Sequence, residues 1–214
     1  MDEQFKNIET ILLDLGGVLL NVSYESTVAA FRENGVENFD ALYTKAKQDH
    51  LFDQFETGAI SADDFRNEVR NRTGIALSDE AINDCWNAIL GNLPQERIEL
   101  IESLKTRYQV LLLSNTNAIH VEAFSRLIHE ENGIENFKAL FHGAHYSNEL
   151  GMRKPNSDVF KFVLDQHNAL PASTLFIDDT LHHVEGSITA GLSGFHLDLG
   201  KEDIVTALKR LELI

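Results

Sequence analysis

The amino-acid sequence predicts an α/β fold: a doubly wound parallel sheet with a small all-helical cap inserted after the first strand. Three observations support this prediction. Short apolar segments typical of buried strands alternate with segments whose apolar residues have helical spacing, and this alternation is typical of a parallel sheet with helices on both faces. One long stretch near the first strand has helical spacing alone. The chain of 214 residues is long enough for one large domain with an insert.

The first predicted strand lies in residues 10–18. An apolar run there is followed by Asp14 and by two glycines, Gly16 and Gly17. This pattern is typical of a buried strand that leaves its sheet at a polar residue.

The helical stretch that follows is the predicted cap, at residues 21–92, between two core segments at residues 1–20 and 93–214. Ser61 and Ser78 each precede acidic residues, as helix N-caps do. Trp86 has helical spacing with other apolar residues, which predicts that it packs in the core of the cap.

Strands and helices alternate again after the cap. Pro94 begins a helix, and Asn156 or Ser157 is the predicted N-cap of another. The remaining predicted strands are residues 109–113, 174–177 and 195–197, and the remaining predicted helices are residues 117–130, a helix that ends at residue 190, and residues 202–211.

The composition excludes several classes of protein. The chain has 18 basic and 34 acidic residues, and its net charge of −16 disfavours binding to nucleic acid or to anionic membranes. Its apolar runs are far shorter than the roughly 18 residues of a membrane span. Cys85 is the only cysteine, which excludes an intrachain disulfide. We therefore expect a cytoplasmic protein that binds neither nucleic acid nor membranes.

Polar residues end three of the predicted strands. Asp14 follows the first strand, Ser114 follows the second, and the pair Asp178 and Asp179 follows a third. The carboxyl ends of parallel strands meet at one edge of a sheet, so these carboxylates should lie close together and share a cation. Carboxylate oxygens suit Mg²⁺, and Lys154 could add positive charge at the same edge.

The order of these residues resembles the four motifs of the haloacid dehalogenase-like hydrolases, and the resemblance covers nearly the whole chain. The predicted cap resembles the first type of helical cap in that superfamily, with residues 55–61 similar to its cap turn. The Asp-x-Gly form of the first motif resembles the sugar-phosphatase-like branch. The four motifs in this sequence are Asp14 with its glycines, Ser114-Asn115, Lys154-Pro155 and Ile177-Asp178-Asp179.

The resemblance implies a role for each motif residue. Asp14 would be the nucleophile that attacks phosphorus and forms an aspartyl-phosphate. Ser114 and the backbone of Asn115 would hydrogen-bond the phosphoryl oxygens, while Lys154 neutralises the nucleophile and the transferring group. Glu56, in the cap turn, is a candidate substrate contact. The implied Mg²⁺ ligands are Asp14, the backbone carbonyl of Gly16 and Asp178, with Asp179 either as a direct ligand or as a partner in the outer coordination shell.

One position departs from the family pattern. Phosphatases of the superfamily usually have an aspartate two residues after the nucleophile, as general acid and base, and Gly16 occupies that position here. General acid–base catalysis contributes about 10²–10⁴-fold in rate. Either Glu56 or His183 could take the role, or the natural substrate could have a more acidic leaving hydroxyl, as in a sugar 1-phosphate. A zinc site at His182-His183 is not expected, because adjacent helical residues face different directions.

These observations predict a Mg²⁺-dependent phosphatase of small phosphorylated metabolites, most of all sugar phosphates, that is a monomer or a weak dimer. One alternative is a haloacid dehalogenase-type hydrolase, which would use the same aspartate on carbon; the paired acids Asp178-Asp179 disfavour it, since that reaction needs no metal. The other alternative is a catalytically silent binding protein that lost its acid/base residue at Gly16.

Overall fold

The structure, a computed structural model, describes residues 5–48 and 50–214. Its five strands are β1 Thr10–Leu13, β2 Gln109–Ser114, β3 Gly143–Tyr146, β4 Thr174–Asp178 and β5 Ser193–His196. They form one parallel sheet in the order β3-β2-β1-β4-β5. The first strand is therefore central, with Leu12 in register with Leu111 on one side and Phe176 on the other. The doubly wound α/β prediction is confirmed.

Helices cover both faces of the sheet. Ile11 and Leu13 pack in one apolar layer with the helices at residues 95–105, 118–132 and 204–210, while Leu12 packs on the opposite face with the helix at residues 157–166. The alternation follows from the two-residue period of a strand. The helices are α1 Tyr24–Glu33, α2 Phe39–Gln48, α3 Leu51–Glu56, α4 Ala62–Thr73, α5 Asp79–Asn87, α6 Gln95–Lys105, α7 Ala118–Asn132, α8 Ser147–Leu150, α9 Ser157–Gln166, α10 Leu181–Thr189 and α11 Ile204–Arg210.

The five helices α1–α5 lie in the segment predicted as the cap and share an apolar cluster, which Ile119 of α7 joins from the core. Phe31 and Phe65 are fully buried in it, and the ring of Phe65 stacks on that of Phe55 with centroids 4.3 Å apart. Ser61 caps α4 as the sequence predicts: its side chain accepts from the Asp64 N–H, and the Asp64 carboxylate accepts from the Ser61 N–H, each at 3.1 Å. This capping box satisfies two donors that a helix start leaves free.

Backbone hydrogen bonds join the two chain segments that connect the cap to the core. The Asn21 N–H donates to the Asn92 carbonyl at 3.0 Å, and the Gly91 N–H donates to the Asn21 carbonyl at 2.7 Å. The side chains of Asn21 and Asn92 are also bonded, at 2.8 Å. The chain therefore leaves the core and returns to it at one place.

Several element boundaries differ from the sequence predictions. The edge strand β3 was not predicted, β5 begins two residues before the predicted start, at Ser193, and α11 begins at Ile204 with Asp203 as its N-cap. Asn156 occupies the N-cap position of α9 without a side-chain hydrogen bond to the helix. Residues 1–4 of the predicted core segment and residue 49 of the predicted cap lie outside the described residues.

Across the described residues, every helix is too short or too polar to cross a bilayer.

Candidate active site

The carboxyl ends of the three central strands place their polar residues at one edge of the sheet. Asp14 directly follows β1, Ser114 ends β2 and Asp178 ends β4. The Asp14 N–H donates to the Ile177 carbonyl at 3.0 Å, so the hydrogen bonding between β1 and β4 continues to Asp14 itself. The nucleophile predicted from the sequence thus has a backbone held by the central sheet.

Lys154 lies between two of the acids. Its ammonium donates to Asp14 Oδ1 at 2.6 Å and to Asp178 Oδ2 at 2.7 Å, and its side chain is fully buried. Asn115 holds the backbone of this lysine from both sides: its Oδ1 accepts from the Lys154 N–H and its Nδ2 donates to the Lys154 carbonyl, each at 3.0 Å. The end of β2 therefore positions the lysine that neutralises the ends of β1 and β4.

The acids differ in their pKa values because their surroundings differ. Burial raises the pKa of Asp14 to about 7, against the opposing effect of Lys154 and with a further rise from Asp178. Burial would also raise the pKa of Asp178, but Lys154 and a hydrogen bond from His183 hold it below its usual range. Burial and the charge of Asp178 raise the pKa of Asp179. The single positive charge of Lys154 thus does not neutralise the carboxylates of Asp14, Asp178 and Asp179.

The same carboxylates fit a divalent cation. One oxygen from each of Asp14, Asp178 and Asp179 lies within 4.8 Å of the others. Gly17 makes room for them, because its backbone has a left-handed φ of +78° and a side chain there would overlap the Asp179 carboxylate. Mg²⁺ prefers hard ligands such as carboxylate oxygens. At this edge of the sheet the carboxylates outnumber the positive charges beside them.

A cleft of about 310 Å³ lies between this edge of the sheet and the cap. Its floor is the polar edge just described, and its roof is largely aromatic. Tyr24, Tyr43, Phe52 and Trp86 line the roof, and Trp86 stacks on His120 of α7 with ring centroids 5.2 Å apart. Trp86 is thus both a cap-core residue, as the sequence predicts, and a wall of the cleft, which the sequence analysis missed.

Arg153 joins the cap to the core beside the cleft. Its guanidinium pairs with Asp53 and, at 2.7 Å, with Glu56, both on α3. Burial raises the pKa of Glu56, and Arg153 opposes that rise. Arg153 is not among the predicted site residues, although its place before Lys154 could have suggested it.

The structure brings the predicted site residues together. Asp178 is buried against Lys154, and the cleft is lined by Asp14, Gly16, Glu56, Ser114, Asn115, Lys154, Asp179 and His183. Of the two adjacent histidines, His182 is 74% exposed, while His183 Nδ1 lies 3.1 Å from Asp178 Oδ2. His183 is therefore part of the acidic edge.

Comparison with known proteins gives relatives over nearly the whole chain. The D-ribitol-5-phosphate phosphatase of Bacteroides thetaiotaomicron is 27% identical over 195 residues, 91% of this chain and 94% of that protein. A sesquiterpene phosphatase of Aspergillus oryzae is 28% identical over 166 residues, 76% of this chain and 79% of that protein.

A similar crystal structure is that of a HAD family enzyme from Bacteroides thetaiotaomicron, an aspartate-to-alanine variant in complex with magnesium and inorganic phosphate. It is 30% identical, the match covers 94% of this chain and 98% of that chain, and the TM-score is 0.85. The sequence profile of the haloacid dehalogenase-like hydrolases matches residues 8–191. Sequence, fold and the convergence of the motif residues agree, and this chain belongs to the haloacid dehalogenase-like hydrolases.

Proposed function

We propose that this protein is a Mg²⁺-dependent phosphatase that hydrolyses small phosphorylated metabolites, most of all sugar phosphates, through an aspartyl-phosphate on Asp14. The proposal rests on the placement of Lys154 between Asp14 and Asp178. A third carboxylate, that of Asp179, lies beside them at the floor of the cleft under the cap. Phosphoryl transfer depends mainly on positioning and charge neutralisation, and this arrangement supplies both.

Each floor residue has a part in the proposed reaction. Asp14 attacks phosphorus, and Lys154 neutralises the nucleophile and a phosphoryl oxygen. Ser114 donates a hydrogen bond to the phosphoryl group. Asn115, which hydrogen-bonds the Lys154 backbone, adds its own N–H to the same cradle.

The implied metal would bind to Asp14, Asp178, Asp179 and the backbone carbonyl of Gly16. When bound, Mg²⁺ supplies positive charge to the phosphoryl oxygens. The crowding of these carboxylates around one lysine supports this assignment.

The relatives support the phosphatase class. Two of them are named as phosphatases, of D-ribitol 5-phosphate and of a sesquiterpene, and a third binds magnesium and inorganic phosphate. In our proposal the cap, residues 21–92, selects the substrate, because its rings form the roof over the leaving group. A cytoplasmic location and a monomeric or weakly dimeric state are part of the proposal.

The test is a screen of phosphorylated metabolites with Mg²⁺ and with EDTA, run on the wild type and on Asp14→Asn. We expect phosphate release from at least one small phosphate ester, dependent on Mg²⁺ and lost in Asp14→Asn, which keeps the shape of the side chain but removes the nucleophile. Release that persists in Asp14→Asn would contradict the proposed nucleophile.

Gly16 favours a second candidate, a silent binding protein. In that case the screen would show no turnover with any substrate, while beryllium fluoride with Mg²⁺ would still bind to the wild type and not to Asp14→Asn. Turnover of a chlorinated carboxylic acid without metal would instead indicate the dehalogenase-type reaction.

A further inference from the structure

The proposed reaction needs a proton on the leaving oxygen, and the position next to the nucleophile cannot supply it. Gly16 has no side chain, although a Cβ at this position would meet only Val22, at an ordinary contact distance of 3.5 Å. An alkoxide leaves slowly without a proton donor. The donor must therefore come from elsewhere in the cleft.

The direction of attack determines the side of the phosphoryl group on which the proton donor must lie. The attacking and leaving oxygens of a phosphoryl transfer are roughly in line with phosphorus. Asp14 attacks from the sheet edge, so the leaving oxygen faces the cap. Among the described residues that line the cleft, Glu56 is the one carboxyl group contributed by the cap.

His183 lies on the wrong side for this role. Its Nδ1 is 3.1 Å from Asp178 Oδ2, and Asp178 also accepts from Lys154. The imidazole is thus beside the nucleophile and the acidic edge, where the attacking group approaches phosphorus.

The surroundings of Glu56 suit a group that gives and takes a proton. Its side chain lines the cleft and is 26% exposed, while its Oε2 is buried and faces the Arg153 guanidinium. Burial raises its pKa and so favours the protonated form, whereas the guanidinium of Arg153, 2.7 Å away, stabilises the carboxylate that remains after proton transfer. The two effects act on different halves of one catalytic cycle.

We propose that Glu56, from the cap, is the general acid and base of the phosphatase reaction, in place of the aspartate that Gly16 lacks. This inference rests on the proposed function. In the first step an Asp14 oxygen bonds to phosphorus, the ester P–O bond breaks, and the leaving oxygen takes the Glu56 proton to become an alcohol. In the second step Glu56 takes a proton from water, whose oxygen bonds to phosphorus as the aspartyl P–O bond breaks. Phosphate and the Asp14 carboxylate are released, and Glu56 is protonated again.

The test compares two phosphate esters with similar rings and different leaving groups, p-nitrophenyl phosphate and benzyl phosphate. A nitrophenolate leaves without a proton, whereas a benzyl alkoxide needs one. Because kcat/KM covers only the steps up to departure of the leaving group, we expect Glu56→Gln to lower kcat/KM on benzyl phosphate on the order of 10²-fold and on p-nitrophenyl phosphate less than about threefold.

The matched control is Glu68→Gln, which makes the same change at a cap carboxylate that pairs with Arg72, away from Arg153 and from the residues that line the cleft. It should change kcat/KM on the two esters equally. Adding Gly16→Asp to Glu56→Gln should restore turnover of benzyl phosphate, since it places a carboxyl group two residues after the nucleophile, at a position where the structure has room for a Cβ.

An equal loss on both esters in Glu56→Gln, or no loss on either, would overturn the assignment while leaving the phosphatase proposal intact. A wild type inactive on both esters and on every metabolite in the screen, with Mg²⁺ present, would overturn the proposed function itself and this assignment with it.

Discussion

Replacement of Lys154 by Met would remove the cation that two buried carboxylates share. The ammonium is fully buried and lies 2.6 Å from Asp14 and 2.7 Å from Asp178. A hydrogen bond to a charged group contributes about 1.5–3 kcal/mol, and removing one partner of a buried ion pair costs about 3–5 kcal/mol. We therefore expect Lys154→Met, in EDTA near pH 8, to lower the free energy of unfolding by about 3–5 kcal/mol.

The loss should become smaller as the pH falls. Lys154 holds the pKa of Asp178 below its usual range, so this contribution to stability is present above the unfolded pKa and is lost as the pH falls through the folded pKa. In Lys154→Met, burial without the cation raises the pKa of Asp178 and raises that of Asp14 further. The folded variant then binds more protons than the unfolded chain, so acid stabilises it relative to wild type.

Urea unfolding followed by circular dichroism, near pH 8 and near pH 5, measures both effects. Lys161→Met, at an exposed lysine on α9, is the control for loss of a positive charge. Its free energy of unfolding should stay within about 0.5 kcal/mol of the wild-type value. A Lys154→Met variant as stable as wild type near pH 8, or one whose deficit does not change with pH, would refute the shared-cation argument.

Three further predictions concern the loop, the cap and a buried histidine. Gly17→Ala should destabilise the protein more than Gly133→Ala, as measured by urea unfolding. Both glycines have a left-handed φ, but only at Gly17 would the new Cβ overlap Asp179. For the same reason Gly17→Ala should weaken Mg²⁺ binding, as measured by calorimetry. Phe65→Ala should lower the free energy of unfolding by about 3–5 kcal/mol, because the Phe65 ring is fully buried in the cap. Unfolding followed by the fluorescence of the single tryptophan measures this loss, and a loss under about 1 kcal/mol would contradict that packing. Burial lowers the pKa of His120 to about 4, so the unfolded chain binds its proton first as the pH falls. The contribution of His120 to stability should therefore decrease by up to about 3 kcal/mol from pH 7 towards pH 4, and the difference between wild type and His120→Phe in the pH dependence of unfolding measures it.

The sequence predicted the central elements of the fold better than its edges. The strands β1, β2 and β4 are buried on both faces, so the residues between their polar ends are all apolar and are recognised from composition alone. The edge strand β3, Gly143–Tyr146, has three half-buried residues of low strand propensity, and its pairing with β2 is what makes it a strand. Such tertiary pairing leaves little trace in the local sequence.

The floor of the site was predictable for a related reason. Parallel strands must end at the same edge, so Asp14, Ser114 and Asp178 had to converge once the strands were recognised. The roof was not predictable, because the faces that cap helices turn to the cleft depend on how α1, α2, α3 and α5 pack together. Trp86 lines the site only through that packing.

The paired asparagines at the base of the cap have a consequence for how new specificities arise in this architecture. Because the chain crosses between the two parts where Asn21 and Asn92 are already bonded, an exchanged or enlarged bundle of helices has to match a single narrow junction. The strand ends that carry Asp14, Ser114 and Asp178 stay in place in such an exchange, whereas the proton donor proposed at Glu56 changes with the helices. Selection can therefore vary the roof and the proton donor together while the attack on phosphorus stays constant.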